Sequence, residues 1–192
     1  IEAEAIEPAA KKTPPSPKTP LRRKFQVSRS YYLEFNHLAR ILNLLLEKRD
    51  AKKISRSVLV EDSGFTGGQL ASLISIGASL GLVRTGSQIL TPTGLLIAEN
   101  DLFFENQGTL EWCHYMGAGT YQNLIWFDIF NHLLAEEDPA SQDGWQDYFR
   151  TRLSGRYSDK TIKDHVPKEV RFLIDAYMDR NFNQLSLLHK TR

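Results

Sequence analysis

The residues of this chain that could do chemistry fall into two sets. The first is nucleophilic, ligating or acidic. Cys113 and His114 are adjacent, and His132 lies further on. Adjacent side chains on a helix point about 100° apart, so this pair is poorly placed to share a metal ion. The paired Cys/His spacings that mark zinc sites are missing. A Cys113–His nucleophile pair lacks a motif, and a buried cysteine behaves as a small apolar residue. Gly64, Gly67 and Gly68 are not followed by the lysine of a phosphate loop. Glu136, Glu137 and Asp138 are consecutive in a proline-closed loop, which marks a solvated surface rather than a carboxylate pair. No catalytic residue, cofactor or metal is expected, and the chain is not expected to be an enzyme.

The second set is cationic and polar, the chemistry of phosphate gripping. Lys11, Lys12, Lys18, Arg22, Arg23 and Lys24 run without an acid among them. Such a run either grips phosphates or an acidic surface, or is a solvated tail. Lys52, Lys53, Arg56 and Arg84 add charge further on. Gln69, Ser72 and Ser75 are polar residues in a stretch, residues 67–82, that holds no lysine, arginine, aspartate or glutamate. They are the candidates for contacts inside a DNA groove. Phosphate attraction supplies much of the affinity in such complexes, so it must come from the cations outside this stretch.

The elements that position these residues centre on residues 58–94. Thr66 is a helix cap, and Leu70, Leu73, Ile74, Gly77, Ala78 and Leu80 recur at helical spacing. Gly81 is placed to end that helix in a left-handed conformation. Apolar runs at 82–85 and 88–90 flank Gly86-Ser87, a hairpin loop of II′ type. Thr91-Pro92 restarts a helix, with threonine as cap and proline at the first helical position. A first helix over 30–49, capped by Ser30, buries Leu38, Ile41, Leu42 and Leu45, and His37 lies at the edge of that core. A short second helix over 55–63 turns Val58, Leu59 and Phe65 inward.

Behind this module the chain is helical. Thr109 caps a helix that Gly117 and Gly119 end. Residues 121–135 form a strongly apolar helix, residues 145–153 a shorter one, and Ser158 caps a further segment. Pro167 is expected to break the helical pattern and open a last helix. Trp112, Tyr115, Trp126 and Phe127 are expected in the core rather than on an aromatic binding surface.

The fold expected is therefore mainly α: a winged helix-turn-helix with a small β-hairpin, followed by a helical C-terminal lobe. Residues 1–28 form a basic, proline-rich leader read as disordered; 29–100 form the winged-helix domain; 101–192 form the lobe packed on it. The 192 residues carry a formal net charge of +1 and are 41% hydrophobic, so the totals demand no nucleic-acid partner. One cysteine excludes an internal disulfide and fits a reducing, cytoplasmic setting. No run is long and apolar enough for a membrane span, so no membrane partner is expected. The start at Ile1 and the finish after a short apolar run suggest a piece of a longer protein.

Three stretches resemble an uncharacterised bacterial domain family found near DNA-phosphorothioation and other phage-defence genes. They are residues 55–83, residues 90–101 with Pro92, Thr93 and Gly94, and residues 109–134 with Thr109, Leu110, Trp112, Trp126, Phe127 and Phe130. The resemblance covers roughly residues 31–177. It implies a winged-helix protein with a helical extension and no known activity. The function expected is a non-enzymatic DNA-binding component of a bacterial defence or DNA-modification system, on duplex DNA. The alternative is a protein-interaction subunit docked in a larger assembly, suggested by the uncharged helix and the aromatic-rich second half.

Overall fold

A computed structural model describes residues 23–29, 31–135 and 141–189. Ser30, Arg22 with the remainder of the leader, and the acidic loop residues Glu136, Glu137 and Asp138 lie outside the described residues. The described residues form eight α-helices and one two-stranded antiparallel sheet.

Helix α1 (Phe35–Glu47) buries Phe35, Leu38, Ile41, Leu42 and Leu45 as one stripe. It begins later than the expected residue 30: Glu34, its N-cap, is extended and makes no side-chain cap. Helix α2 (Arg56–Ser63) is capped by Ser55 and ends at Gly64 in the left-handed conformation. Val58 faces outward on α2, 37% exposed, contrary to the inward position expected of it. Helix α3 (Gly67–Ser79) starts with a complete capping box between Thr66 and Gln69. Gly81 adopts φ 75°, which frees the chain to turn into β1 (Val83–Arg84). That strand pairs with β2 (Ile89–Leu90), Val83 opposite Leu90.

The hairpin loop is longer than the two residues expected. Gln88 N–H donates to Arg84 O at 2.8 Å, and Gln88 rather than Gly86 takes the positive φ. The turn therefore runs over 85–88, and a left-handed residue closes it. Helix α4 (Pro92–Asn100) is capped by Thr91, with Pro92 at its start. Gly94 lies against the Leu82 carbonyl so closely that a Cβ there would overlap it. The hairpin and α4 thus share a glycine-dependent contact. Helices α2, α3 and α4 all pack on α1.

Helix α5 (Gln107–Gly119) starts three residues earlier than expected, because Asn106 rather than Thr109 caps it. Helix α6 (Leu124–Asn131) is followed by a 3-10 turn at Leu133–Ala135. Helix α7 (Gln142–Leu153), capped by Ser141, packs against α8 (Asp159–Met178). Pro167 does not break α8. The carbonyl it leaves without a partner belongs to Lys163, an exposed residue, so the lost bond falls on the solvent side of the helix. The stripe Ile162, Val166, Val170, Leu173 and Tyr177 is buried on both sides of the proline and keeps the helix in line. Tyr177 is the centre of this half: its hydroxyl meets His114 Nδ1 at 2.6 Å and accepts from Trp126 Nε1 at 2.9 Å. A single hydrophobic cluster runs from α1 through α8.

The disorder expected of residues 1–28 does not hold for residues 23–28. Phe25 and Val27 are buried, at 3% and 4% exposure, and residues 23–29 form a strap laid across the body. Enough apolar area is removed from water there to order a short segment.

Candidate nucleic-acid interface

Four cations of the second set, Lys52, Lys53, Arg56 and Arg84, lie on the segment before α2, on α2 and on the hairpin. Ser55 Oγ accepts from Val58 N at 3.3 Å and fixes the start of α2. Arg56, at the first helical position, reaches across to Gly67 O at 2.8 Å. Ile54 N–H donates to Ser87 O at 2.9 Å, which ties the segment carrying Lys52 and Lys53 to the loop beside Arg84. Lys52, Lys53, Arg56 and Arg84 are all exposed. Among the described residues none of the four makes an ion pair. The acids on the neighbouring elements are Asp50, Glu61 and Asp62, and Asp62 is engaged by Lys48 at 2.9 Å.

The groove-reading residues are not available. Ser72 and Ser75 are buried, at 3% and 4% exposure, where a groove contact requires them in solvent. Ser72 Oγ donates to Gly68 O within its own helix at 3.2 Å. Ser75 Oγ accepts from Lys24 Nζ at 2.5 Å. Gln69 is half-buried, and its side chain is held by the Thr66 amide at 2.9 Å. An uncharged helix with small residues is a good packing surface: α1, α2 and β1 pack against it, and Lys24 of the strap reaches Ser75. Asn123 Nδ2 donates to Ser79 O at 3.4 Å, closing the far end.

The tail cations divide. Arg23 is not free for a phosphate: it pairs with Asp128 at 2.6 Å, bonds Tyr121 O at 2.8 Å and stacks 4.2 Å over the Tyr121 ring. Asp128 is fully buried and also takes Arg152 at 2.9 Å. Lys24 is joined to the α6 start through its backbone, Lys24 N to Gln122 O at 2.7 Å and Leu124 N to Lys24 O at 3.0 Å. Its ammonium faces the space beside α3. Burial pushes its pKa below the ordinary lysine value, with Arg29 adding to the effect and Glu169 opposing it.

Glu169 of α8 anchors the strap. Its carboxylate accepts from Val27 N, Ser28 N and Ser28 Oγ, each at 3.0 Å, and from Arg29 N at 2.8 Å. Burial raises its pKa, against the downward pull of these hydrogen bonds. Sequence reasoning missed both anchoring acids. Each carried a signal: Glu169 falls on the inward face set by Val166, Val170 and Leu173, and Asp128 is the one acid within the apolar run of α6.

Cys113 is fully buried, and desolvation, with a smaller contribution from Asp101, pushes its thiol up to about 12. A thiol so raised is protonated and unreactive at neutral pH. Among the described residues, no group of three His, Cys, Asp or Glu side chains is gathered as metal ligands. No described helix is long and apolar enough to cross a membrane. Trp126 is buried and Phe127 half-buried, whereas Trp112 and Tyr115 stand 41% and 67% exposed, contrary to the core position expected of them.

No protein-family model matches the chain, and neither a curated protein nor a solved structure matches it. The resemblance to the defence-associated family therefore rests on the residues quoted for it alone.

Proposed function

We propose that this chain is a non-enzymatic, winged-helix-type module that holds duplex DNA by its phosphates and does not read the bases. The observation that carries this reading is the cluster of Lys52, Lys53, Arg56 and Arg84, exposed and without ion-pair partners among the described residues, beside a third helix whose serines are buried. The order α1, α2, α3, hairpin, α4 supports the winged-helix assignment. Cations without base-directed partners give affinity without sequence preference. A bacterial defence or DNA-modification setting belongs to the same proposal, on the strength of the resemblance. Titration of two duplexes of unrelated sequence at low salt tests it. Equal binding to both is expected; no binding to either refutes the reading, and strong preference for one refutes the absence of base contacts.

One observation favours a second reading, docking onto a larger assembly. Leu96, Phe103, Trp112 and Tyr115 are large, apolar and exposed, at 61%, 58%, 41% and 67%. A groove of about 560 Å³ runs between α4 and α5 past Leu96 and Trp112. Exposed apolar residues beside a groove, as Leu96 and Trp112 are, mark interaction surfaces. Recovery of one defined protein from a native extract, abolished by Trp112→Asp, supports docking; recovery of nucleic acid alone counts against it.

A further inference from the structure

The space between the strap and α3 is a cleft of about 190 Å³, lined by Lys24 and Arg29 of the strap, Arg56 of α2, Ser75 of α3, and Thr85 and Gln88 of the hairpin loop. A hollow of about 400 Å³ opens beside it and shares Lys24 and Arg29. No carboxylate is among the residues lining either space. Three cations, two from the strap and one from α2, thus face one small volume whose lining holds no carboxylate.

Each wall is held in place for a reason that has nothing to do with a ligand, which makes the cleft preformed. Lys24 is fixed by its backbone bonds to α6 and spends one ammonium hydrogen on Ser75 Oγ, leaving two. Arg56 is steadied by Gly67 O. Arg29 is bound through its amide to Glu169, with φ 53°, and its guanidinium has no ion pair among the described residues. Gln88 also has positive φ, 52°, so two of the four such non-glycine residues described line this cleft. Glycine fits that backbone with less strain, and strained positions gather at binding sites. Gln88 Oε1 is buried without a hydrogen-bond partner. The oxygen and nitrogen of such an amide are interchangeable in placement, and turned over, the group offers N–H donors to the cleft.

We propose that this cleft seats a single phosphate group, with Lys24, Arg29 and Arg56 supplying charge and Ser75, Thr85 and Gln88 supplying hydrogen bonds. Two guanidinium forks and an ammonium match the several oxygens and the charge of a phosphate better than those of one carboxylate. The site deepens the DNA reading above and rests on it only for the carrier of the phosphate, a DNA strand rather than a free nucleotide.

The test uses inorganic pyrophosphate, a nucleoside 5′-monophosphate and a duplex, each titrated into the full chain by calorimetry. Two variants are compared with it: Arg29→Gly with Arg56→Gln, which empties the cleft, and Lys52→Gln with Lys53→Gln, which leaves it intact. Both change exposed side chains, and glycine suits the Arg29 backbone, so both are expected to fold. Pyrophosphate is expected to bind at one site per chain, to weaken about tenfold or more in the cleft variant and to change little in the lysine variant. Pyrophosphate that does not bind, or that binds the cleft variant as well as the parent, overturns the site even if the duplex still binds. Pyrophosphate and mononucleotide binding lost in the cleft variant, with no duplex binding at all, upholds the site and refutes the DNA reading instead.

Discussion

Replacing Glu169 with alanine removes the anchor of the strap, and the structure sets the size of the effect. Four hydrogen bonds end on this carboxylate, from Val27 N, Ser28 N, Ser28 Oγ and Arg29 N. Arg29 is exposed, so its amide can turn to water. Val27 and Ser28 are at 4% and 0% exposure, so their amides cannot. Two buried amides left unsatisfied cost about 1–3 kcal/mol each, roughly 2–6 kcal/mol together. The strap can instead peel away, which exposes Phe25 and Val27 at about 1.5–3 kcal/mol each. The two routes cost about the same, so a destabilisation of about 3–5 kcal/mol is expected in a urea melt, within the roughly 5–15 kcal/mol a domain can lose. Hydrogen exchange separates the routes: fast exchange confined to residues 25–29 marks peeling, and faster exchange throughout marks global loss. Peeling also withdraws Lys24 and Arg29 from the cleft, so phosphate affinity falls with it. A loss below about 0.5 kcal/mol with the amides of Val27 and Ser28 still protected refutes the reasoning.

Three other perturbations have defined outcomes. A Cβ at Gly94 would overlap Leu82 O and stand 2.8 Å from its carbonyl carbon, so Gly94→Ala is expected to cost about 1–3 kcal/mol or more by thermal melting. Cys113, buried with its thiol raised to about 12, is expected to resist iodoacetamide in the folded protein and to react at once in denaturant. Burial lowers the His114 pKa below its ordinary 6.5, so the unfolded chain takes up that proton first on acidification. The contribution is present above about 6.5 and lost as pH falls through the lowered folded value; the drop in Tm between about pH 7.5 and pH 5 is expected to shrink in His114→Gln.

Much of the fold is legible in the sequence because its signals are local. Ser55, Thr66, Thr91, Ser141 and Ser158 cap helices, and four of these helices start where the spacing of apolar residues places them. The helix begun by Ser141 starts a turn earlier than the apolar spacing alone marks. The hairpin too is local, although its loop closes on Gln88 rather than Gly86-Ser87. Pro167 misleads because a helix loses only one internal bond to a proline when the orphaned carbonyl faces solvent. The interface was half legible. Exposed cations are visible as residue types, and Lys52, Lys53, Arg56 and Arg84 are all exposed. The covering of Ser75 depends on residues 23–29 reaching α3, a contact about fifty residues away in sequence: Lys24 to Ser75. No local pattern encodes it. The apolar pair Phe25 and Val27 was the trace it left within a leader read as disordered.

The central claim is that exposed cations, not base contacts, hold DNA here, and its most direct measurement is duplex affinity across a range of salt concentrations. Each phosphate contact contributes about 0.9 to the slope of log affinity against log salt, so four contacts from Lys52, Lys53, Arg56 and Arg84 predict a slope near −3.6. Arg56→Ala with Arg84→Ala is expected to bring it to about −1.8, equally for any duplex sequence. A slope near zero, or one unchanged in the double variant, contradicts the account.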